Sequence, residues 1–185
     1  MSHLMLHSWP SAVAVAMTLA SAAVLLLAAG HDIVSRTVPN WMSVAIACCG
    51  IAASFAGDRL FISMGLGLAV FIAAAICWRR GWMGGADVKL LGAVAIVLPP
   101  DMVSMFVIAM SLWGAFHAVT YMLARRVVTP PPPVQPPVPV SPRARGLLPR
   151  ALRAERWRIS RGGPLPYACA IAFGFLFVIL NGGAP

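Results

Sequence analysis

Acidic side chains are scarce. Only Asp32, Asp58, Asp87, Asp101 and Glu155 occur in 185 residues, and any carboxylate chemistry must draw on these five. Charged residues of both signs make up 10% of the chain, where a soluble domain carries about a quarter, so an ordinary soluble globular domain is excluded. Lysine is reduced to Lys89 alone, and tyrosine to Tyr121 and Tyr167. The four cysteines, Cys48, Cys49, Cys77 and Cys169, form no CxxC pair and fall in or at the ends of apolar blocks. That distribution argues against a zinc site and against a disulfide framework. The cysteines read as small apolar residues, and no metal or other cofactor is expected.

What is present is apolar. Hydrophobic residues make up 60% of the chain, mean hydropathy is +0.85, and 16 Pro with 16 Gly divide the apolar residues into blocks. These blocks run over 12–29, 41–56, 60–78, 88–98, 102–124 and 166–180, each to be judged against the ~20 residues that cross hydrocarbon. The pattern predicts an all-α, polytopic membrane protein with six transmembrane helices. Residues 1–124 then form a membrane domain with spans one to five, 125–162 a cytoplasmic Pro/Arg-rich loop, and 163–185 the last span of the same domain. No Lys or Arg precedes the first block, and its apolar run exceeds the roughly 7 to 15 residues of a signal-peptide core, so it reads as a retained span.

The fourth block is short, about half of a ~30 Å core at 1.5 Å per residue, and could be re-entrant. The basic residues favour a crossing. With six spans, Arg36, Arg79, Arg80, Lys89 and the nine Arg between Arg125 and Arg161 share one side, and Arg59 stands alone opposite. That is a strong positive-inside pattern, and it puts both termini outside the cytoplasm. The Arg excess is local, which makes it a cytoplasmic or lipid-facing patch; no nucleic-acid partner is expected.

Residues 127–142 (VVTPPPPVQPPVPVSP) lack the N–H groups for a helix or ladder and read as an extended spacer. Beyond them Arg alternates with Leu147, Leu148, Leu152, Trp157 and Ile159. The stretch is either a solvated basic loop or a short helix lying on anionic lipid.

A carboxylate beside a membrane span is costly, and is usually paired or functional. Asp58 and Asp101 fall in short turns and read as solvated; Glu155 stands among Arg153, Arg156 and Arg158 as a surface ion-pair member. Asp32 and Asp87 remain. The first helix must stop near Pro39, which disfavours helix at the residue before it, so Asp32 lies near the membrane boundary. Asp87 follows Gly84-Gly85-Ala86 and opens the fourth block. Two crossings separate the two aspartates, so both emerge on one face. Two carboxylates in proximity share a proton, leaving one as acid and one as base near neutral pH, and such a dyad activates water against a peptide carbonyl. Two plainer readings stay open: an Asp32–Arg36 helix pair at i, i+4, and Asp87 as a helix N-cap. Lys89 lies about 200° round the helix from Asp87 and should reach for the interface. His117 reads as a hydrogen-bonded interior group, and Gly50, Gly65 and Gly67 suit close helix packing.

Gly84-Gly85-Ala86-Asp87-Val88-Lys89-Leu90-Leu91 resembles the GxGD-type motif of membrane aspartyl proteases in the form found in type IV prepilin leader peptidases. Asp32 with Pro39-Asn40 is similar to the first-aspartate segment of that family. Pro166-Tyr167, Ala170-Ile171-Ala172 and Gly174 resemble its last span. The resemblance implies a peptidase that removes the basic leader of a pilin precursor at the cytoplasmic face of the bacterial inner membrane, with Asp32 and Asp87 as catalytic pair. Two departures are Ala86 at the third glycine of the motif and Cys169 where Pro is common. The chain has no Cys-bearing insert near its start, as the methylating members do, and so resembles the short peptidase-only type of tight-adherence, or Flp-type, pili. The rival is a non-enzymatic membrane subunit, of a transporter or secretion apparatus, whose Asp residues bind ions or protons; such a transporter would favour acids near the midplane.

Overall fold

The computed structural model describes residues 12–35, 37–127 and 167–181. Arg36, residues 128–142 of the expected spacer, the Arg-rich stretch beyond them and Pro166 lie outside the described residues, as do both termini, while Val127, expected to open the spacer, closes the last helix turn before it. Among the described residues the fold is all-helical: α1 (Ala12–Ser35), α2 (Asn40–Ala56), α3 (Leu60–Arg79), α4 (Gly85–Val97), a single 3-10 turn (Pro100–Met102), α5 (Val103–Val127) and α6 (Tyr167–Asn181).

Each break has a local cause. Pro39 sits at φ −58° and ψ 138°, an extended geometry that separates α1 from α2. Asp58 takes φ 52° in the α2–α3 turn and Gly81 takes φ 75° in the α3–α4 turn, the left-handed region that glycine enters at no steric cost. Leu98 turns extended ahead of Pro99 and Pro100, which stop α4.

The short α4 is the centre of the bundle. It packs against α2, α3 and α6, with α1 on α2 and α6, and α5 on α6. Nine of its 13 residues are buried. Leu90, Val94 and Val97 recur at helical spacing and meet Leu25, Ile46 and Phe175 in one core. At 1.5 Å per residue α4 is only about 20 Å long, against ~30 Å of hydrocarbon. Its neighbours compensate at the far end: Ser54 Oγ donates to the Ile96 carbonyl at 2.8 Å and Arg59 Nη2 to the Val97 carbonyl at 3.0 Å. Carbonyls that a helix end leaves unpaired, costly in an apolar setting, are thereby satisfied, by a cation at the end its dipole favours. Arg59, isolated in the charge pattern, is thus a cap for α4.

Glycines allow the close approach. A Cβ on Gly50 would stand 2.9 Å from Val97 N, one on Gly67 would meet Ile96 Cγ1 at 2.4 Å and the Gly92 carbonyl at 3.1 Å, and one on Gly174 would meet the Met110 backbone at 2.9 Å. Gly65 corrects the sequence expectation: nothing lies within 4 Å of its Cβ position. Two residues from Gly67, it is turned about 200° to the outer face of α3. Cys169 behaves as the small apolar residue expected, buried in the core with Sγ 3.9 Å from the Ala29 carbonyl.

The outside of the bundle is apolar, with Phe61 91% exposed and Leu180 79%, far beyond what a soluble monomer presents. The helical segments Ala12–Ser35, Leu60–Arg79 and Pro100–Ala124 are long and apolar enough to cross a membrane. The other helices, α2, α4 and α6, hold 17, 13 and 15 residues. The three long apolar helices mark an integral membrane protein.

Gly50→Val should destabilise the detergent-solubilised protein by about 1 to 3 kcal/mol through overpacking against the α4 backbone, read from its melting midpoint. Gly65→Val should change stability by less than about 0.5 kcal/mol; equal losses from the two variants would contradict this packing.

Candidate active site

Asp87 is fixed by the start of α4. Gly84 is the N-cap residue, and Asp87 stands at the third helical position with its side chain turned back to the cap. The plainer reading of Asp87 as the N-cap is therefore corrected: the cap lies three residues earlier. The Gly84 N–H donates to Asp87 Oδ2 at 3.2 Å, the reciprocal half of a capping box. A Cβ at Gly84 would lie 2.9 Å from the same oxygen, so a larger residue there would shift the Asp87 carboxyl. The second glycine lies against Trp78, whose Nε1 would be 3.4 Å from a Cβ at Gly85.

Asp32 lies one turn before the end of α1, half-buried. The segment that follows folds back over it. Ser35 Oγ donates to the His31 carbonyl at 2.7 Å, and His31 Nδ1 donates to the Thr37 carbonyl, which holds Thr37 and Val38 beside Asp32 ahead of Pro39 and α2.

Both aspartates line one cavity of about 720 Å³, together with Thr37, Val38, Trp82, Met83, Gly84, Gly85, Ala86 and Tyr167. The volume is that of a ligand cleft. The aspartates, Gly84, Gly85, Ala86 and Tyr167 are legible in the sequence motifs; Thr37, Val38, Trp82 and Met83 are not, since they carry no motif of their own. Their signal is positional, since each sits in a connection next to an aspartate. Arg80 stacks on the Trp82 ring, 5.2 Å from its centroid, at the rim made by the α3–α4 turn.

Asp87 precedes the apolar run of α4, at the end of the bundle that carries Arg79 and Arg80. Burial raises the pKa of its carboxyl above the ordinary carboxylate value; the charge of Asp32 raises it further, and the Gly84 N–H opposes both. Two carboxyls, one of them inclined to keep its proton, in one cavity are a pair equipped for general acid–base chemistry. Among the described residues no three His, Cys, Asp or Glu side chains gather as metal ligands.

The remaining candidates are dispersed. Lys89 turns away from Asp87, and its Nζ donates to Asn40 Oδ1 at 2.8 Å, so the two aspartate segments meet through a second contact. His117 is half-buried in α5, with Nδ1 donating to the Trp113 carbonyl at 2.9 Å and its ring tilted against Phe173, clear of the cavity. Asp58 and Asp101 are exposed at the opposite end.

A family model described as the type IV leader peptidase family matches residues 19–119, a stretch that contains Asp32, Asn40, Asp87 and Lys89. No curated protein and no solved structure matches the chain.

Asp32→Asn should lower the pKa of Asp87, because the substitution removes the charge that raises it while burial remains. Carboxyl-carbon NMR of labelled Asp87 measures this directly; an unchanged or higher value would separate the two groups.

Proposed function

The chain belongs to the type IV leader peptidase family, and we propose that it is an aspartic-type endopeptidase working through Asp32 and Asp87. The observation that carries the reading is their shared cavity. In the mechanism the pair holds one proton. Asp87, with its raised pKa, keeps it, and ionised Asp32 is the base. Asp32 accepts a proton from water as the oxygen attacks the scissile carbonyl carbon. Asp87 then gives its proton to the leaving nitrogen as the C–N bond breaks, and the pair ends with its proton moved from one member to the other. Gly84, Gly85 and Ala86 place Asp87, Asn40 with Lys89 ties the α2 start to α4, and Tyr167 lines the α6 side.

The substrate in this reading is a membrane-anchored pilin precursor of the type IV or Flp type, cut between its basic leader and its apolar helix. The cavity opens at the end with Arg79 and Arg80, and the basic residues orient that end toward the cytoplasm in a six-span arrangement with both termini opposite. The protein then resides in a bacterial inner membrane. The reading as a non-enzymatic subunit with ion-binding Asp residues has no support from the family, which is one of peptidases.

Asp32→Asn and Asp87→Asn should each lower precursor cleavage at least about 10²-fold with membrane insertion intact, judged by gel shift of precursor to mature pilin. Near-full cleavage by either variant would remove that residue from the mechanism. Chelators should leave cleavage unchanged, as should replacement of Cys48, Cys49, Cys77 and Cys169 by Ser. Inhibition by a chelator that zinc reverses would contradict the metal-free mechanism.

A further inference from the structure

A second cavity, of about 510 Å³, lies on the other side of α4, between α2, α3 and α4. Each helix gives it two turns: Asn40 to Ala47, Met64 to Phe71 and Lys89 to Ile96. Seven residues of rise make this a slot about 10 Å long. Its walls are apolar, with Val44, Leu68, Phe71 and Ile96 around a floor that Gly67 and Gly92 keep low. The exposed α2 and α3 faces beside it, including Val44 at 60% and Leu68 at 59%, leave it open sideways among the described residues.

Its polar groups are gathered at one end. Lys89 and Asn40 stand where α4 and α2 begin, and the bond from Nζ to Oδ1 at 2.8 Å leaves two ammonium protons of an exposed lysine. Ser43 lies one turn below. A slot with a cation at its mouth and hydrocarbon along its length matches one class of molecule, an amphiphile with an anionic head. The volume fits a small ligand.

We propose that this slot binds one anionic phospholipid, with an acyl chain between α2 and α3 and its phosphate on the Lys89 ammonium and the Asn40 amide. The inference depends on that end of the bundle lying at the membrane boundary, and it is independent of the chemistry assigned to Asp32 and Asp87. The site is on the opposite face of α4 from the 720 Å³ cavity, so lipid and substrate do not compete for space. A lipid seated there would bear on α4 next to Asp87.

Native mass spectrometry of the full-length protein, delipidated in detergent and titrated separately with dioleoyl phosphatidylglycerol and dioleoyl phosphatidylcholine, tests the site. The protein should retain one phosphatidylglycerol in preference to phosphatidylcholine. Lys89→Gln should weaken phosphatidylglycerol about fivefold, the effect of one basic residue near anionic lipid at about 1 kcal/mol, and leave phosphatidylcholine unchanged. Ala47→Phe, which fills the slot, should abolish retention of that one lipid in protein that still elutes as a single folded species. Equal retention of the two lipids, or a preference untouched by both substitutions, would overturn the proposal. So would a photo-crosslinker at Val44 that captures precursor peptide in place of lipid. None of these readouts passes through cleavage, so failure here leaves the aspartate assignment standing, and the reverse also holds.

Discussion

The structure depends on burying a helix too short for its surroundings. Thirteen residues of α4 make a helix of about 20 Å, and its bare end, packed among apolar neighbours, would leave buried carbonyls without partners at a cost of about 1 to 3 kcal/mol each. The bundle meets the constraint by enclosing α4. Gly50 and Gly67 let α2 and α3 approach to backbone contact, and Ser54 and Arg59 accept the role of capping Ile96 and Val97. With its lower end fixed, the start of α4 is fixed too, and with it Asp87. A slide of one residue along the axis would move that carboxyl about 1.5 Å, enough to spoil an acid–base pair.

The electrostatics of the candidate site follow from this placement. Enclosure deprives Asp87 of water, which makes its charged form expensive, and the second carboxyl in the same cavity adds to that expense. The Gly84 N–H works the other way, through its bond to Asp87 Oδ2. The opposite face of α4 stays apolar, with its single lysine at the mouth. One helix therefore carries a polar cavity on one side and a hydrocarbon slot on the other.

Much of the helical framework was legible because hydropathy and proline act locally. The expected block 60–78 and the observed Leu60–Arg79 differ by one residue, as do 41–56 and Asn40–Ala56. The first helix ends ahead of Pro39 as its geometry requires. Asp32 and Asp87 were identifiable as candidates because the chain holds so few acids, and their common face followed from counting crossings. What could not be read was which neighbour each helix face meets. Gly65 and Gly67 are equivalent in the sequence, yet only Gly67 faces α4. The Lys89–Asn40 bond spans 49 positions, and no local pattern announces it. The capping by Arg59 was hidden by its place in the charge count, where it was simply the one basic residue on the wrong side. The plainer reading of Asp87 as an N-cap stayed open because an N-cap and a third-position acid look alike until the backbone turn is known.

The central claim is that Asp32 and Asp87 stand together in one cavity. It is tested most directly by pairing Asp32→Cys with Asp87→Cys in a background free of the four native cysteines and treating membranes with a short bifunctional thiosulfonate. The account predicts rapid intramolecular cross-linking of this pair and none for Asp32→Cys with Asp58→Cys, whose positions lie at opposite ends of the bundle. Cross-linking of the Asp32 and Asp87 positions no faster than the control, with each single cysteine still labelled by a monofunctional reagent, would contradict it.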